Sequence, residues 1–232
     1  MTVSVGQIGT FAYTSASTGP FSFATLPSAG SRIVLPEINV GATSGTGTAS
    51  DNQGVGNTYS SQLNSIISAA GLVCGLDCPS IGTPSGTFTV TGAGITGGAY
   101  MGALIEAKGT TGVAAGTPVA TGGATSASFA ASLTAGAAST VPDSLVIAWL
   151  GFYSNGAAPN WNTPTGFTNA LVNTAGGTPY RIDYKILTAT ETTTANWGSA
   201  LTNQGLAGTW FAGIIVYSGT AAGNTASIAW VG

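Results

Sequence analysis

The 232 residues are enough for one large β domain or two small ones, so a core can form without a metal or a disulfide. With 44% hydrophobic residues and a net charge of −3, the chain is not disordered, because disorder needs low hydrophobicity and high net charge. Only 5% of residues are charged, against about 25% in ordinary domains, and the four cations Arg32, Lys108, Arg181 and Lys185 are too few for a nucleic-acid footprint.

Residues 1–18 contain no basic residue and no continuous apolar stretch, so they do not read as a signal peptide, and synthesis in a cytoplasm is expected. Strands between glycine-rich turns are predicted at 6–13, 31–40, 71–75, 86–91, 100–108, 126–132, 144–153, 167–172, 180–188, 192–200, 210–217 and 225–231. One stretch has helical spacing. In 59–70 (YSSQLNSIISAA), Leu63, Ile66 and Ile67 stand at i, i+3 and i+4, and Gly71 would end the helix. Residues 87–91 (TFTVT) alternate, with Phe88 and Val90 on one face, and 181–186 (RIDYKI) alternate with charges outward. Residues 145–150 and 211–217 are apolar on both faces, which requires a cover on each side, from the chain or from a partner. No apolar run approaches the ~18 residues of a spanning helix, and the aromatics lack the regular girdles of a membrane barrel; no membrane span is expected. Asp51-Asn52-Gln53-Gly54, Ser154-Asn155-Gly156 and Gly176-Gly177 supply turn residues that tolerate positive φ, and Thr163-Pro164-Thr165-Gly166 reads as a proline turn.

A faint internal repeat runs through this order. Segment 31–41 (SRIVLPEINVG) can be laid on 144–153 (SLVIAWLGFY), and 100–109 (YMGALIEAKG) on 211–219 (FAGIIVYSG). Chance likeness among glycine- and alanine-rich strands is the competing explanation. The pattern predicts an all-β fold, a two-sheet β-sandwich of jelly-roll-like form. It would be one domain over 1–232, with pseudo-repeated halves of about 1–109 and 126–232 and a Gly/Ala/Thr-rich crossover at 110–125.

Three stretches carry a family resemblance. Residues 51–59 (DNQGVGNTY) resemble a D-x-x-G-N-T-Y turn with two extra residues. Segments 103–109 (ALIEAKG) and 214–219 (IIVYSG) resemble an apolar strand that ends in a Y-S-G turn, and 142–148 (PDSLVIA) opens the second half in the same order. On these motifs the chain resembles a loose family of bacteriophage virion β-sandwich proteins that serve as head-decoration, tail-fibre and baseplate modules. The likeness spans roughly 31–219. It implies a jelly-roll-like sandwich, a non-enzymatic role in the particle and a trimer, and it supplies no catalytic residue.

The residues themselves point away from catalysis. Without histidine there is no Ser-His-Asp or Cys-His centre, and Cys74 and Cys78 cannot be completed into a Cys/His zinc site. The two cysteines read as small buried thiols or, if Gly75-Leu76-Asp77 turns back sharply, as a local disulfide. The acids are Glu37, Asp51, Asp77, Glu106, Asp143, Asp183 and Glu191. Glu37 and Glu106 lie in apolar strands, where a glycosidase pair would need them ~5–9 Å apart; pairing with Arg32 or Lys108 is the plainer expectation. The run 91–98 (TGAGITGG) lacks the lysine and helix of a phosphate loop, and a turn is expected at Asp51-Asn52-Gln53 rather than a calcium loop. No cofactor and no metal are expected. Among the tryptophans, Trp149, Trp210 and Trp230 lie in apolar strands and read as core. Trp161 and Trp197, beside Asn160, Asn162 and Asn196, are either core residues or platforms for a glycan or a partner.

The leading expectation is therefore a head-decoration (cement) protein located in the virion, seated on capsid or other virion proteins and on copies of itself as a homotrimer. A tail-fibre or baseplate module that binds host-surface glycans is the alternative, and a glycan-cleaving tailspike is a distant third. The chain starts at its own Met1 and carries no long fibrous repeat, which favours a small decorating subunit.

Overall fold

The computed structural model describes residues 2–219 except 15–19, 43, 55, 68–70, 97, 115–118, 127–130, 136–142, 154–160, 175–178, 190 and 199–207. Among the described residues the fold is all-β and every strand pairing is antiparallel, as in a β-sandwich. The first large sheet runs in the order β1 (Ser4–Ile8), β10 (Ile105–Lys108), β4 (Arg32–Val40), β7 (Gly71–Cys78), β6 (Ser60–Ile67). β9 (Ala99–Gly102) also pairs with β4, and β2 (Ala12–Thr14) pairs with β9. The second large sheet runs β11 (Thr110–Val113), β18 (Gly208–Gly219), β14 (Ser144–Tyr153), β16 (Tyr180–Leu187), β15 (Thr168–Asn173), and β12 (Val119–Ser126) pairs with β18. Ranked by position in the chain, both five-strand paths read first, fifth, second, fourth, third. Glu106 opposes Ile33 in the first sheet, and Val216 opposes Val146 in the second.

The large sheets face one another across a core that includes Val34, Ile38 and Val73 from one side and Ile147, Trp149, Phe211 and Ile215 from the other. Two smaller sheets cover their outer faces. On the first lie β3 (Pro20–Ser22), β8 (Thr89–Thr96) and β5 (Ser44–Asp51), whose Phe21, Val90 and neighbouring Phe88 pack on Ile33, Leu35, Leu72 and Leu76. On the second lie β13 (Ala131–Ala135) and β17 (Thr193–Gly198), with Ala195 and Trp197 against Val146, Ala148, Ala212 and Ile214. The stack thus has four layers where two sheets were expected. The second face of 145–150 and 211–217 is covered by the chain itself, so these strands no longer argue for a neighbouring subunit. The segment 110–125, expected as a bare crossover, contributes β11 and β12 to the edge of β18.

Local chemistry explains where strands break. Pro36 sits in the middle of β4 without an N–H to give to a ladder. The partner strand is interrupted opposite Leu35 and Pro36, and the expected strand 100–108 becomes β9 and β10. Trp149 occupies the matching middle of β14, and β18 beside it runs unbroken for 12 residues. The expected helix at 59–70 is instead β6, with 68–70 outside the described residues. Its run of serines and paired isoleucines has little helix propensity. As the edge partner of β7 it turns Leu63 and Ile67 to the core and leaves Ile66 about half exposed. The expected strand 225–231, Trp230 and the turns at 154–156 and 176–177 lie outside the described residues.

Trp149 fixes the spacing of the two large sheets. It is fully buried, with Gly213 as its neighbour on β18 and Gly75 facing it from β7. A Cβ on Gly213 would overlap the Trp149 ring, whereas a Cβ on Gly112 would meet nothing within 4 Å. Gly213→Ala is expected to destabilise the fold by about 1–3 kcal/mol through overpacking, and Gly112→Ala to stay within about 0.5 kcal/mol of the parent. Urea unfolding of both variants measures the difference.

Candidate functional site

The aromatic candidates divide. β17 alternates, with Thr193, Ala195 and Trp197 inward and Thr194 and Asn196 outward. Trp197 is wholly buried, and its Nε1–H donates to Asp183 Oδ2 at 2.8 Å. Both ring faces are taken up by the layer contact, so Trp197 offers no platform to a sugar; the second sheet needs its bulk as cover. Asn196 is exposed, and its Oδ1 accepts from the Gly198 N–H at 2.9 Å in a local turn. Asn160 lies outside the described residues. Trp161 is half-buried against the same cluster, with no partner for its Nε1–H. Arg181 ties the region together. It pairs with Asp183, which also accepts from Asn169 at 3.1 Å, and donates to the Trp161 carbonyl at 3.1 Å. Of the four candidates, the structure joins Trp161 and Trp197 through one network and leaves ring surface open only on Trp161.

The carboxylates are also separated. Glu106 accepts from Ser28 N–H at 2.7 Å and Ser31 Oγ–H at 2.8 Å and lies 3.5 Å from Lys108. Desolvation pushes its pKa up, but these donors outweigh it and hold it below the usual value. A cleft of about 220 Å³ opens beside it, lined by Ser28, Gly30, Ser31 and Lys108. Glu37 is four residues along β4 from Ile33, the cross-strand partner of Glu106. At ~3.3 Å per residue their backbones stand about 13 Å apart along the strand direction, and the two carboxyls have different surroundings, Glu106 with Ser28, Ser31 and Lys108 and Glu37 under Gly92. Asp51 is consumed in its turn: its carboxylate accepts from Gln53 N–H, Asn57 Nδ2–H and Tyr59 Oη–H. The D-x-x-G…N-T-Y stretch is therefore a structural staple. Cys74 and Cys78 are free, buried thiols on the extended β7, and burial pushes both pKa values up.

Glu37 departs from every other buried acid in the described residues. Neither of its carboxyl oxygens has a hydrogen-bond partner, and neither polar atom of the Asn39 amide has one. Both side chains are fully buried, two residues apart on the face of β4 that meets the outer sheet. Glu37 lies between Cys74 on β7 and Gly102 on β9, and a Cβ added to Gly92 on β8 would come within 3.0 Å of its Oε2. Asn39 lies between Leu72 and Tyr100, whose Oη–H donates to Ile95 O at 3.1 Å. Burial raises the Glu37 pKa to about 8, so it is a neutral acid at pH 7. Sequence reasoning weighed Glu37 and passed over Asn39. The available signal was the repeat, which lays these two polar residues on Leu150 and Phe152.

A pH dependence follows. Between 4.5 and about 8 the unfolded chain releases a proton that folded Glu37 keeps. The contribution of Glu37 to stability is therefore fully present below pH 4.5, falls as pH rises and levels off above about 8. Glu37→Gln is expected to remove this slope. At pH 8.5 it should exceed the parent in stability by on the order of 4 kcal/mol, and at pH 4 the two should be similar. Urea midpoints across this range check the sign. No family model, no curated protein and no solved structure matches the chain.

Proposed function

We propose that the chain is a structural protein of a bacteriophage particle, a head-decoration (cement) subunit on its outer surface that acts without catalysis. The observation that carries this reading is how the charges are spent. Each of the four cationic side chains is held in an ion pair within the chain: Arg32 with Asp77, Lys108 with Glu106, Arg181 with Asp183 and Lys185 with Glu191. Among the described residues, the exposed large apolar side chains are few, such as Tyr13, Leu26 and Val172, and the partly exposed charged side chains of Lys108 and Glu191 are themselves in ion pairs. Such a surface suits docking on neighbouring protein rather than steering of a charged substrate. The resemblance over 31–219 supports the particle, and it alone supports the trimer.

Binding of host glycans, as in a tail-fibre or baseplate module, is the second reading. It rests on the half-buried Trp161 beside Asn162. Glycan binding that is lost in Trp161→Ala, with the melting transition unchanged, would favour it.

Gold-labelled antibody to the purified protein should decorate heads of the encoding phage; label confined to tail tips would transfer the assignment to the second reading. Light scattering should give a trimer of the same mass in low and high salt, since few charges are available to screen. A monomer that leaves virions when salt is added would contradict the assembly reading. Purified protein should release no sugar from host polysaccharide.

A further inference from the structure

We propose that the outer sheet β3–β8–β5 is a detachable layer, held closed while Glu37 keeps its proton and released when Glu37 loses it. The inference is independent of the virion role. It starts from the two carboxyl oxygens of Glu37, which are unpartnered and enclosed where the first large sheet meets this outer layer. At the matching interface of the second large sheet, Leu150 and Phe152 occupy the corresponding places on β14, and both are buried in an apolar cluster. The acid at that interface, Asp183, is paired with Arg181 and accepts from Trp197, whereas Glu37 has neither a cation nor a donor.

Among the described residues, no cation and no hydrogen-bond donor holds Glu37 as an anion. The titratable groups that face it are the Cys74 thiol from β7, the Tyr100 phenol from β9 and, across the central core, the Tyr180 phenol from β16. Tyr180 is engaged, with its Oη–H donating to Pro36 O at 2.6 Å. β3, β8 and β5 bring Phe21, Val90 and the glycine backbone at Gly47 and Gly92 to this interface, and the acid at the end of β5, Asp51, is consumed in its own turn. All four cationic side chains are already in ion pairs. An ionised Glu37 must therefore recruit water or pull its surroundings apart. The weakest cover is directly above it. There β8 contributes Gly92, which has no side chain to lose contact, and the β5–β8 register shifts between Gly45 and Thr48. The second half has no such acid and stays closed.

Two sets of natural probes separate the layers. Both cysteines, Cys74 and Cys78, lie under this outer sheet, and all five tryptophans lie in 149–230. In a Cys78→Ser background, Cys74 is labelled with a soluble maleimide from pH 6 to pH 9.5, with and without Glu37→Gln. The ratio of the two rates cancels the ionisation of an exposed thiol, and the Glu37 charge, which adds to burial in raising the Cys74 pKa, would lower the ratio rather than raise it. The expected ratio is near one at pH 6 and rises more than tenfold by pH 9.5, while tryptophan emission stays constant and return to pH 6 restores protection. A flat ratio, or labelling that rises together with a change in tryptophan emission, would overturn the proposal. If Glu37→Gln does not fold, Glu37→Leu, which copies Leu150, replaces it. Amide exchange of the unsubstituted protein, corrected for intrinsic base catalysis, gives the same decision: β8 must lose protection between pH 7 and 9.5 while β16 and β18 keep theirs.

Discussion

A strand with apolar side chains on both faces must be covered on both faces, and this constraint builds the molecule. β4, β7 and β14 are buried along their described length. Two facing sheets satisfy one side of each, around Trp149 in its slot between Gly213 and Gly75. The other sides remain, and the chain covers them with β3–β8–β5 and β13–β17. The covers are short strands with few bulky residues, so single aromatic side chains carry the contact: Phe21 and Phe88 on one side, Trp197 on the other.

Burial on this scale leaves little room for charge. Arg32 and Arg181 are almost fully enclosed and survive there only because Asp77 and Asp183 lie against them, with Tyr217 under the first guanidinium and Trp197 donating to the second carboxylate. Removing one member of such a pair would leave a buried charge uncompensated, at a cost of ~3–5 kcal/mol. Glu37 shows the alternative outcome. It has no cation beside it, and it remains neutral. The scarcity of cations leaves this one acid without a partner.

The resemblance motif takes a structural meaning from this arrangement. Asn52, Gln53 and Asn57 tie the residues after β5 to the segment that enters β8, through Thr87 O, Thr89 N–H, Ser85 N–H and Gly82 N–H, and Asp51 holds Gln53 and Asn57 in place. The turn stitches the end of β5 to the start of β8 within the outer layer.

Much of the fold was legible in the amino-acid order, because strand period and turn chemistry are local. The expected strand 144–153 coincides with β14, and 31–40 differs from β4 by one residue. The alternation of 181–186 failed where the charges were involved: Arg181 and Asp183 were expected outward, and both are buried. A two-residue period fixes which side chains share a face, but not whether that face meets water or another layer. For the same reason Trp197 could be read as core or platform until β17 was seen lying on β14 and β18. Helical spacing in 59–70 misled because Leu63 and Ile67 also share a strand face, and β7 supplied the edge that decided between the two periods. The isolation of Glu37 was beyond the sequence altogether. An acid in an apolar strand is ordinary if a cation from a distant segment reaches it, and only the tertiary structure shows that all four cations are bound elsewhere.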